Sequence, residues 1–297
     1  MSRFVKSLFD SVVIPPCRKV PVLRRLANYV SRAVSEEGYH ELRSRFISNG
    51  RHGRWSTADR ETVVRRFEEI ESNIELGSTP TEGLIMAEAL LSLDAPGDVI
   101  ECGCFNGGSS AKLSIIAKMV GKKLMVFDSF EGLPEVDEFN KKDFNARKGA
   151  EWVSDWTAGR YAARIDFVKS NITRFGEISV CSFHKGWFCD TIKPDVLPEK
   201  VAMVFVDVDI PSSARDCFVP LWPRLVERGA FFMHDIGFIK LLQTIMDEKL
   251  WTEQFKEFPP IIFGAGYGMG DDAPYLGLMV KGRNLSAEYI NSLTVFK

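Results

Sequence analysis

Two short clusters of ionisable side chains sit where chemistry is easiest to build. Asp207 and Asp209 flank Val208 directly after the apolar run Val201–Val206, and His234 and Asp235 directly follow the apolar run Ala230–Met233. If both runs are neighbouring strands, both pairs can face one cleft. Carboxylates and an imidazole in one cleft can accept the proton of a reacting hydroxyl, and general-base help of that kind contributes roughly 10²–10⁴-fold. His234 reads either as that base or as a structural histidine. Asp209 reads either as part of the site or as the N-cap of a helix near Ser212.

A second signal lies between Val99 and Ser110. Glu101, Gly103, Gly107 and Gly108 form the pattern E-x-G-x-x-x-G-G between an apolar strand and a helix. Glycine lets a bulky ligand approach the backbone, and the helix start near Asn106 and Ser109 offers free N–H groups. The G-x-G-x-x-G spacing of pyrophosphate-binding turns is absent. A nucleoside without phosphates fits better. Asp128 ends the next apolar run, 25 residues after Gly103, where a carboxylate can accept both ribose hydroxyls. Glu101 can meet the ammonium of a methionine moiety. The plainer alternative is a tight strand-to-helix turn with no ligand.

The elements that must position these residues alternate along the chain. Strands are expected at 99–100, 124–127, 178–183, 201–206 and 230–233, with two late antiparallel candidates at 260–263 and 276–280. Helices are expected at 57–74, with Thr57 or Asp59 near its N-cap, at 81–91 capped by Thr81, and at 109–120, 161–170, 212–226 and 239–250. Such alternation predicts an α/β fold with a mostly parallel sheet covered on both faces. Ligands of such sheets bind beyond the C-terminal strand ends, where Gly103, Asp128, Lys185, Asp207 and Asp235 all fall. Residues 135–160 lack a period and read as a lid over an acceptor. Trp152 and Trp156 would share a face there if that stretch is helical. The glycine-rich 264–272 segment reads as a loop without an assigned role.

The stretch Asp98–Pro134, with Asp128-Ser129-Phe130-Glu131-Gly132-Leu133-Pro134, resembles the macrocin O-methyltransferase family, class I enzymes dependent on S-adenosylmethionine. The block from His184 to Ile192, the Asp207-Val208-Asp209 triplet and Leu221-Trp222-Pro223-Arg224-Leu225 carry the same resemblance. It implies a Rossmann-like seven-stranded sheet and methyl transfer to a hydroxyl of a small molecule, such as a sugar-containing natural product; it covers roughly residues 80–250 and does not reach residues 1–80, which read from their own spacing as a helical extension. Cofactor contacts are expected from Glu101, Gly103, Asn106, Gly107, Ser109, Asp128, Ser129, Phe130, Gly186 and Asp207, and from Lys185 and Trp187 flanking the adenine, unless these two are a surface lysine and a core tryptophan. The resemblance also implies a divalent metal, Mg²⁺ in the family, on Asp207, His234 and Asp235, with Asp207, Asp209 and His234 as catalytic groups. The chain departs from the family at His234, where an acid is usual. Imidazole suits Zn, Fe or Ni better than Mg. Ile210-Pro211-Ser212-Ser213 also differs from the family's segment.

Bulk properties narrow the alternatives. A net charge of −2 gives no global basic field for nucleic acid. The first 35 residues are basic, with Val22, Leu23, Leu26, Tyr29, Val30 and Ala33 at helical spacing. That helix packs on the catalytic domain or on a second copy of the chain, as in a homodimer, or touches an anionic membrane surface. No apolar run approaches the ~18 residues of a membrane span, and Asp10 with Pro15-Pro16 interrupts the only leader-like stretch. Six scattered cysteines without CxxC spacing predict thiols of a cytoplasmic protein. A protein that binds S-adenosylmethionine without methylating is the second functional reading.

Overall fold

In the computed structural model, residues 38–51, 53–136, 142–145, 150–153, 156–257, 259–264 and 276–282 are described. The basic 1–35 segment, Cys17 and most of the 264–272 loop fall outside them. Among the described residues no helix is long and apolar enough to cross a membrane.

A helix across residues 38–48 (α1) leads to α2, Thr57–Asn73, and α3, Pro80–Ser92. Both α2 and α3 start with a reciprocal capping box: Ser56 with Asp59, and Thr79 with Glu82. Each box satisfies two N–H groups that a helix start otherwise leaves unpaired. The caps therefore lie one residue before Thr57 and two before Thr81. Pro80 explains the second shift, because proline at the first helical position loses no hydrogen bond and presets φ. Val63, Phe67 and Ile70 recur along one stripe of α2 and are buried against Leu84, Ile85 and Ile116.

The βα alternation follows. Strand β1 is Asp98–Cys102, α4 Gly108–Met119, β2 Leu124–Asp128, and a hairpin of β3 (Lys142–Asn145) and β4 (Ala150–Val153) comes next. Then come α5 (Ile165–Phe175), β5 (Cys181–Lys185), the short α6 (Phe188–Thr191), β6 (Val201–Val206), α7 (Pro211–Leu221), β7 (Leu225–Met233), α8 (Ile239–Ile245), β8 (Phe263–Gly264) and β9 (Gly277–Val280). Seven strands form one sheet in the order β5-β2-β1-β6-β7-β9-β8. The four pairings in that order up to β7 are parallel, whereas β9 is antiparallel to both its neighbours and β8 has two residues.

Alternate residues of the central strands serve opposite faces, as the two-residue period of a strand requires. Met203 and Phe205 pack with α2–α5, while Val204 and Val206 pack with α7 and α8. All six residues of β6 are buried, which is why this run shows no polar alternation.

Five expected boundaries move. The helix expected at 212–226 stops at Leu221, and Trp222–Arg224 form a 3-10 turn. Pro220 and Pro223 lack the N–H groups that continued helix needs. Strand β7 therefore starts at Leu225 and crosses a register shift before Ala230. The helix expected at 161–170 begins at Ile165. The strand expected from 178 begins at Cys181 after a 3-10 turn. The helix expected to reach 250 ends at Ile245 and a separate π-helical turn, Leu250–Phe255, follows. In the expected lid, Trp152 lies on β4, so no helical face joins it to Trp156. Trp156 is buried with Leu133 and Ile210.

Candidate active site

A cavity of about 590 Å³ opens over the C-terminal ends of β1, β2, β6 and β7, large enough for a drug-sized ligand. The crossover of the sheet puts it there. Strand β1 is central, β2 lies to one side and β6 to the other, so the loops leaving them diverge and leave a crevice.

Its first half is the turn after β1. Gly103 has φ +85°, and a Cβ there would lie 1.9 Å from the Asp207 carbonyl oxygen. The glycine is thus required both by conformation and by the close approach of the β6 end. Gly107, at φ +82°, caps α4 without a side chain. Asp128 accepts the Cys104 N–H at 2.7 Å on Oδ2 and the Phe130 N–H at 2.6 Å on Oδ1. Burial pushes its carboxyl up, and these backbone donors pull it back toward the charged form. The Phe105 N–H and the Cys104 thiol also turn toward this carboxyl. Asn106 ties the turn to its surroundings, donating to the Glu75 carbonyl and accepting from the Asn171 side chain.

The second half gathers the ionisable groups. His234 Nδ1 lies 3.2 Å from Asp207 Oδ1 and 3.3 Å from Asp235 Oδ2. One donor atom from each of Asp207, His234 and Asp235 lies within 4.8 Å of the others. Burial by itself would lower the His234 pKa, but the charges of Asp207, Asp235 and Glu82 outweigh it and hold the imidazole well above its ordinary value. Asp209 hydrogen-bonds Asp235, and its carboxyl is raised well above the usual range by burial, then by the charges of Asp235 and Asp207. Helix α7 takes Ile210 as its N-cap, with no side-chain cap, so Asp209 does not serve there.

Backbone strain marks the same place. Phe105 (φ 44°), Tyr161 (φ 61°), Asp209 (φ 60°) and Asp235 (φ 57°) are left-handed non-glycine residues that border the cavity. Such conformations cost about 1–3 kcal/mol each, so their concentration around one opening marks it as functional rather than incidental.

Of the residues singled out from sequence, Gly103, Asn106, Gly108, Ser109, Asp128, Ser129, Trp156, Asp207, Asp209, His234 and Asp235 line the cavity. Gly107 and Phe130 stand behind it. Glu101 lies beneath it, fully buried, with Oε2 taking the Ser110 hydroxyl and Oε1 without a hydrogen-bond partner. Burial pushes its carboxyl up to about 8. Lys185 points outward to Glu131 at 3.1 Å, Gly186 N–H donates to the Asp128 carbonyl, and Trp187 is exposed. From that block Phe188 is the residue that reaches the cavity.

Sequence reasoning missed Glu82, Phe188, Phe238, Arg160 and the Glu75–Ser78 connection. The last four are cavity-lining residues without a motif of their own. Glu82 did carry a signal, the T-x-x-E capping box, but that pattern says nothing of its 3.5 Å approach to His234 Nε2.

Three comparisons bear on this geometry. Residues 85–257 match the family model described as Macrocin-O-methyltransferase (TylF). The 8-demethyl-8-(2,3-dimethoxy-alpha-L-rhamnosyl)-tetracenomycin-C 4'-O-methyltransferase of Streptomyces olivaceus is 31% identical over 152 residues, which are 50% of this chain and 56% of that protein. The mycinamicin III 3''-O-methyltransferase of Micromonospora griseorubida is 28% identical over 155 residues, 50% of this chain and 58% of that protein. The chain thus spans a little over half the length of these relatives. The solved structure of the O-methyltransferase NovP shares the fold at a TM-score of 0.51 and 16% identity, over 84% of this chain and 100% of that one. The family match covers more than half of the chain and takes in β1, the glycine turn, Asp128 and both acidic clusters, and on that ground the chain belongs to the macrocin O-methyltransferase family.

Proposed function

We propose that the protein transfers the methyl group of S-adenosylmethionine to a hydroxyl of a small, polyhydroxylated acceptor, such as the sugar of a glycosylated natural product. The observation that carries this reading is the continuity of one cavity from the glycine turn and Asp128 to Asp207, Asp209, His234 and Asp235. The relatives named above are by their names O-methyltransferases, the first of them of a rhamnosyl-bearing compound.

Asp128 takes the ribose hydroxyls, which replace the weak Cys104 thiol contact on its carboxylate. The turn 103–109, with Ser129 and Phe188, encloses the nucleoside. Glu101 sits under the turn and helps to hold the methionine end. The acceptor hydroxyl lies over Asp207 and Asp209. As the new O–CH₃ bond forms, the C–S⁺ bond breaks and its electron pair stays on sulfur, leaving a neutral thioether. The hydroxyl proton goes to a carboxylate, for which Asp209 is assigned; the proton held there by burial and by the charges of Asp235 and Asp207 leaves when the positively charged sulfonium binds nearby, and Asp207 and His234 fix the position of the hydroxyl. Holding both reactants in line supplies much of the remaining rate.

The donor set of two carboxylates and one imidazole fits a divalent metal. Asp207, His234 and Asp235 would hold it. When bound, such an ion lowers the pKa of a hydroxyl and orients it.

We assign residues 81–297 to the catalytic domain, with 135–160 as a lid, and residues 1–80 to an extension built into it. Glu75–Ser78 border the cavity and α2 shares its core. A second copy of the chain is the partner assigned to the remainder of that extension. A cytoplasmic location keeps thiols such as Cys102 and Cys217 reduced.

Calorimetric titration of the protein with S-adenosylmethionine, with Asp128→Ala as control, tests the cofactor site. Binding that is lost in the variant, followed by methyl transfer in a screen of glycosylated acceptors, is expected. Absence of binding to the wild-type protein would sink the reading. Binding without turnover on any acceptor would favour a non-catalytic cofactor-binding protein.

A further inference from the structure

Glu82 does two things at once. It is the third residue of α3, and its Oε2 accepts the Thr79 N–H at 2.7 Å while Thr79 Oγ1 accepts the Glu82 N–H at 3.4 Å. A cap needs only one carboxylate oxygen. The other, Oε1, is left buried on a side chain that is 1% exposed, and it faces His234 Nε2 at 3.5 Å. The opposite ring nitrogen, Nδ1, faces Asp207 and Asp235. The imidazole is therefore held between one carboxylate behind it and two in front.

That arrangement has the outline of the carboxylate–histidine–metal pattern, in which a carboxylate takes the N–H of one ring nitrogen and leaves the other as a ligand, with the 3.5 Å approach here an ion-pair contact rather than a formed hydrogen bond. The partner's rigidity matters, because a ligand is only as well placed as the group that orients it. Here Pro80 and the capping box fix the start of α3. Lys112, buried and paired with Glu71 at 2.6 Å, packs beside Gly83 and supplies a positive neighbour to the buried carboxylate.

We propose that Glu82 is a positioning residue that turns His234 Nδ1 toward Asp207 and Asp235, and that the resulting one-nitrogen, two-oxygen centre takes a transition-metal ion such as Co²⁺, Fe²⁺ or Zn²⁺ in preference to Mg²⁺. The inference rests on the metal site proposed above. Mg²⁺ favours an all-oxygen shell, whereas imidazole adds affinity for the later first-row ions.

The experiment uses full-length, metal-stripped protein titrated separately with Co²⁺ and Mg²⁺, with the Co²⁺ absorption bands recorded and S-adenosylmethionine affinity measured in parallel. In His234→Asp the ratio of Co²⁺ to Mg²⁺ affinity should fall by at least about tenfold. In Glu82→Gln the amide oxygen can still cap α3, but its NH₂ meets His234 Nε2 as a donor. Co²⁺ affinity should fall about 10–100-fold, the Co²⁺ bands should shift, and the ring-nitrogen chemical shifts of His234 should report the opposite tautomer, all with little change in melting temperature. Should Glu82→Gln not fold, the ring-nitrogen shifts of the Zn²⁺-loaded wild type, assigned by their loss in His234→Asp, still decide. A single hydrogen on Nε2 supports the inference, and a hydrogen retained on Nδ1 overturns it. Unchanged Co²⁺ binding and tautomer in a folded Glu82→Gln would reduce Glu82 to a helix cap and overturn the positioning role. An unchanged ion ratio in His234→Asp, or no ion binding to a wild-type protein that still binds S-adenosylmethionine, would overturn the metal assignment and leave the cofactor site standing. Loss of S-adenosylmethionine binding by the wild type would instead strike the proposed function itself.

Discussion

The two halves of the cavity are built on opposite principles. Around Gly103 and Asp128 the polar groups satisfy one another: the carboxylate takes two backbone N–H groups, and the turn fits against the β6 end with no room for a Cβ. This half is preformed, and a ligand adds to hydrogen bonds already in place. Around His234, four carboxylates and an imidazole are crowded together, with Asp209 and Asp235 in left-handed backbone. Like charges this close repel unless a proton or a cation intervenes. One half stores order and the other stores charge. The first suits recognition of a fixed nucleoside, and the second suits a reaction in which a proton must move.

The contrast can be broken most severely at the charged half. Asp209→Asn should lower kcat by roughly 10²–10⁴-fold, with S-adenosylmethionine affinity little changed in calorimetry. A kcat close to wild type would remove Asp209 from the reaction. The preformed half should answer differently, through stability. Gly103→Ala forces an alanine into φ +85° against the Asp207 carbonyl. The conformation alone costs about 1–3 kcal/mol, and the overlap adds to it, so a marked drop in melting temperature is expected. An unchanged melting temperature would mean that the β1 turn and the β6 end are not in contact.

A third measurement probes the boundary between the halves. Glu101 is held near 8 by burial, far above the ordinary carboxylate value. The folded state therefore binds this proton more tightly than the unfolded chain. Its contribution is fully present below about pH 4.5 and is lost as pH rises toward 8, on the order of a few kcal/mol. Stability of the ligand-free protein should decline over that interval, and Glu101→Gln should flatten the decline. Equal slopes in chemical denaturation would place the charge elsewhere. The smallest effect is expected at Lys185→Ala. Its exposed pair with Glu131 contributes about 0–1 kcal/mol, so both stability and cofactor affinity should stay close to wild type. A large loss of cofactor affinity would bring Lys185 back into the site.

The preformed half was the more legible one. The E-x-G-x-x-x-G-G turn and Asp128 are local features, separated by one helix and one strand, and their roles follow from backbone geometry. The acidic half was legible as residue types. Asp207, Asp209, His234 and Asp235 were visible at strand ends, but which of them touch depends on the parallel pairing of β6 with β7. Cofactor contacts expected from Lys185 and Trp187 did not come into the cavity, because β5 is the edge strand and its last side chains turn outward. Phe188, one residue further, turns in.

By itself the sequence determined the alternation of strands and helices, since hydrophobic period and glycine or proline breaks act within a few residues. It also determined that the chemistry would gather at the strand ends. The boundaries near Leu221 and Ile165 needed local details of proline and cap geometry that periodicity does not resolve. Only the tertiary structure decided that Glu82, 152 residues before His234 in the chain, stands behind its imidazole. The physical reason is that a capping carboxylate has two oxygens. The local pattern accounts for one of them, and only the tertiary packing of α3 brings the other within 3.5 Å of an imidazole.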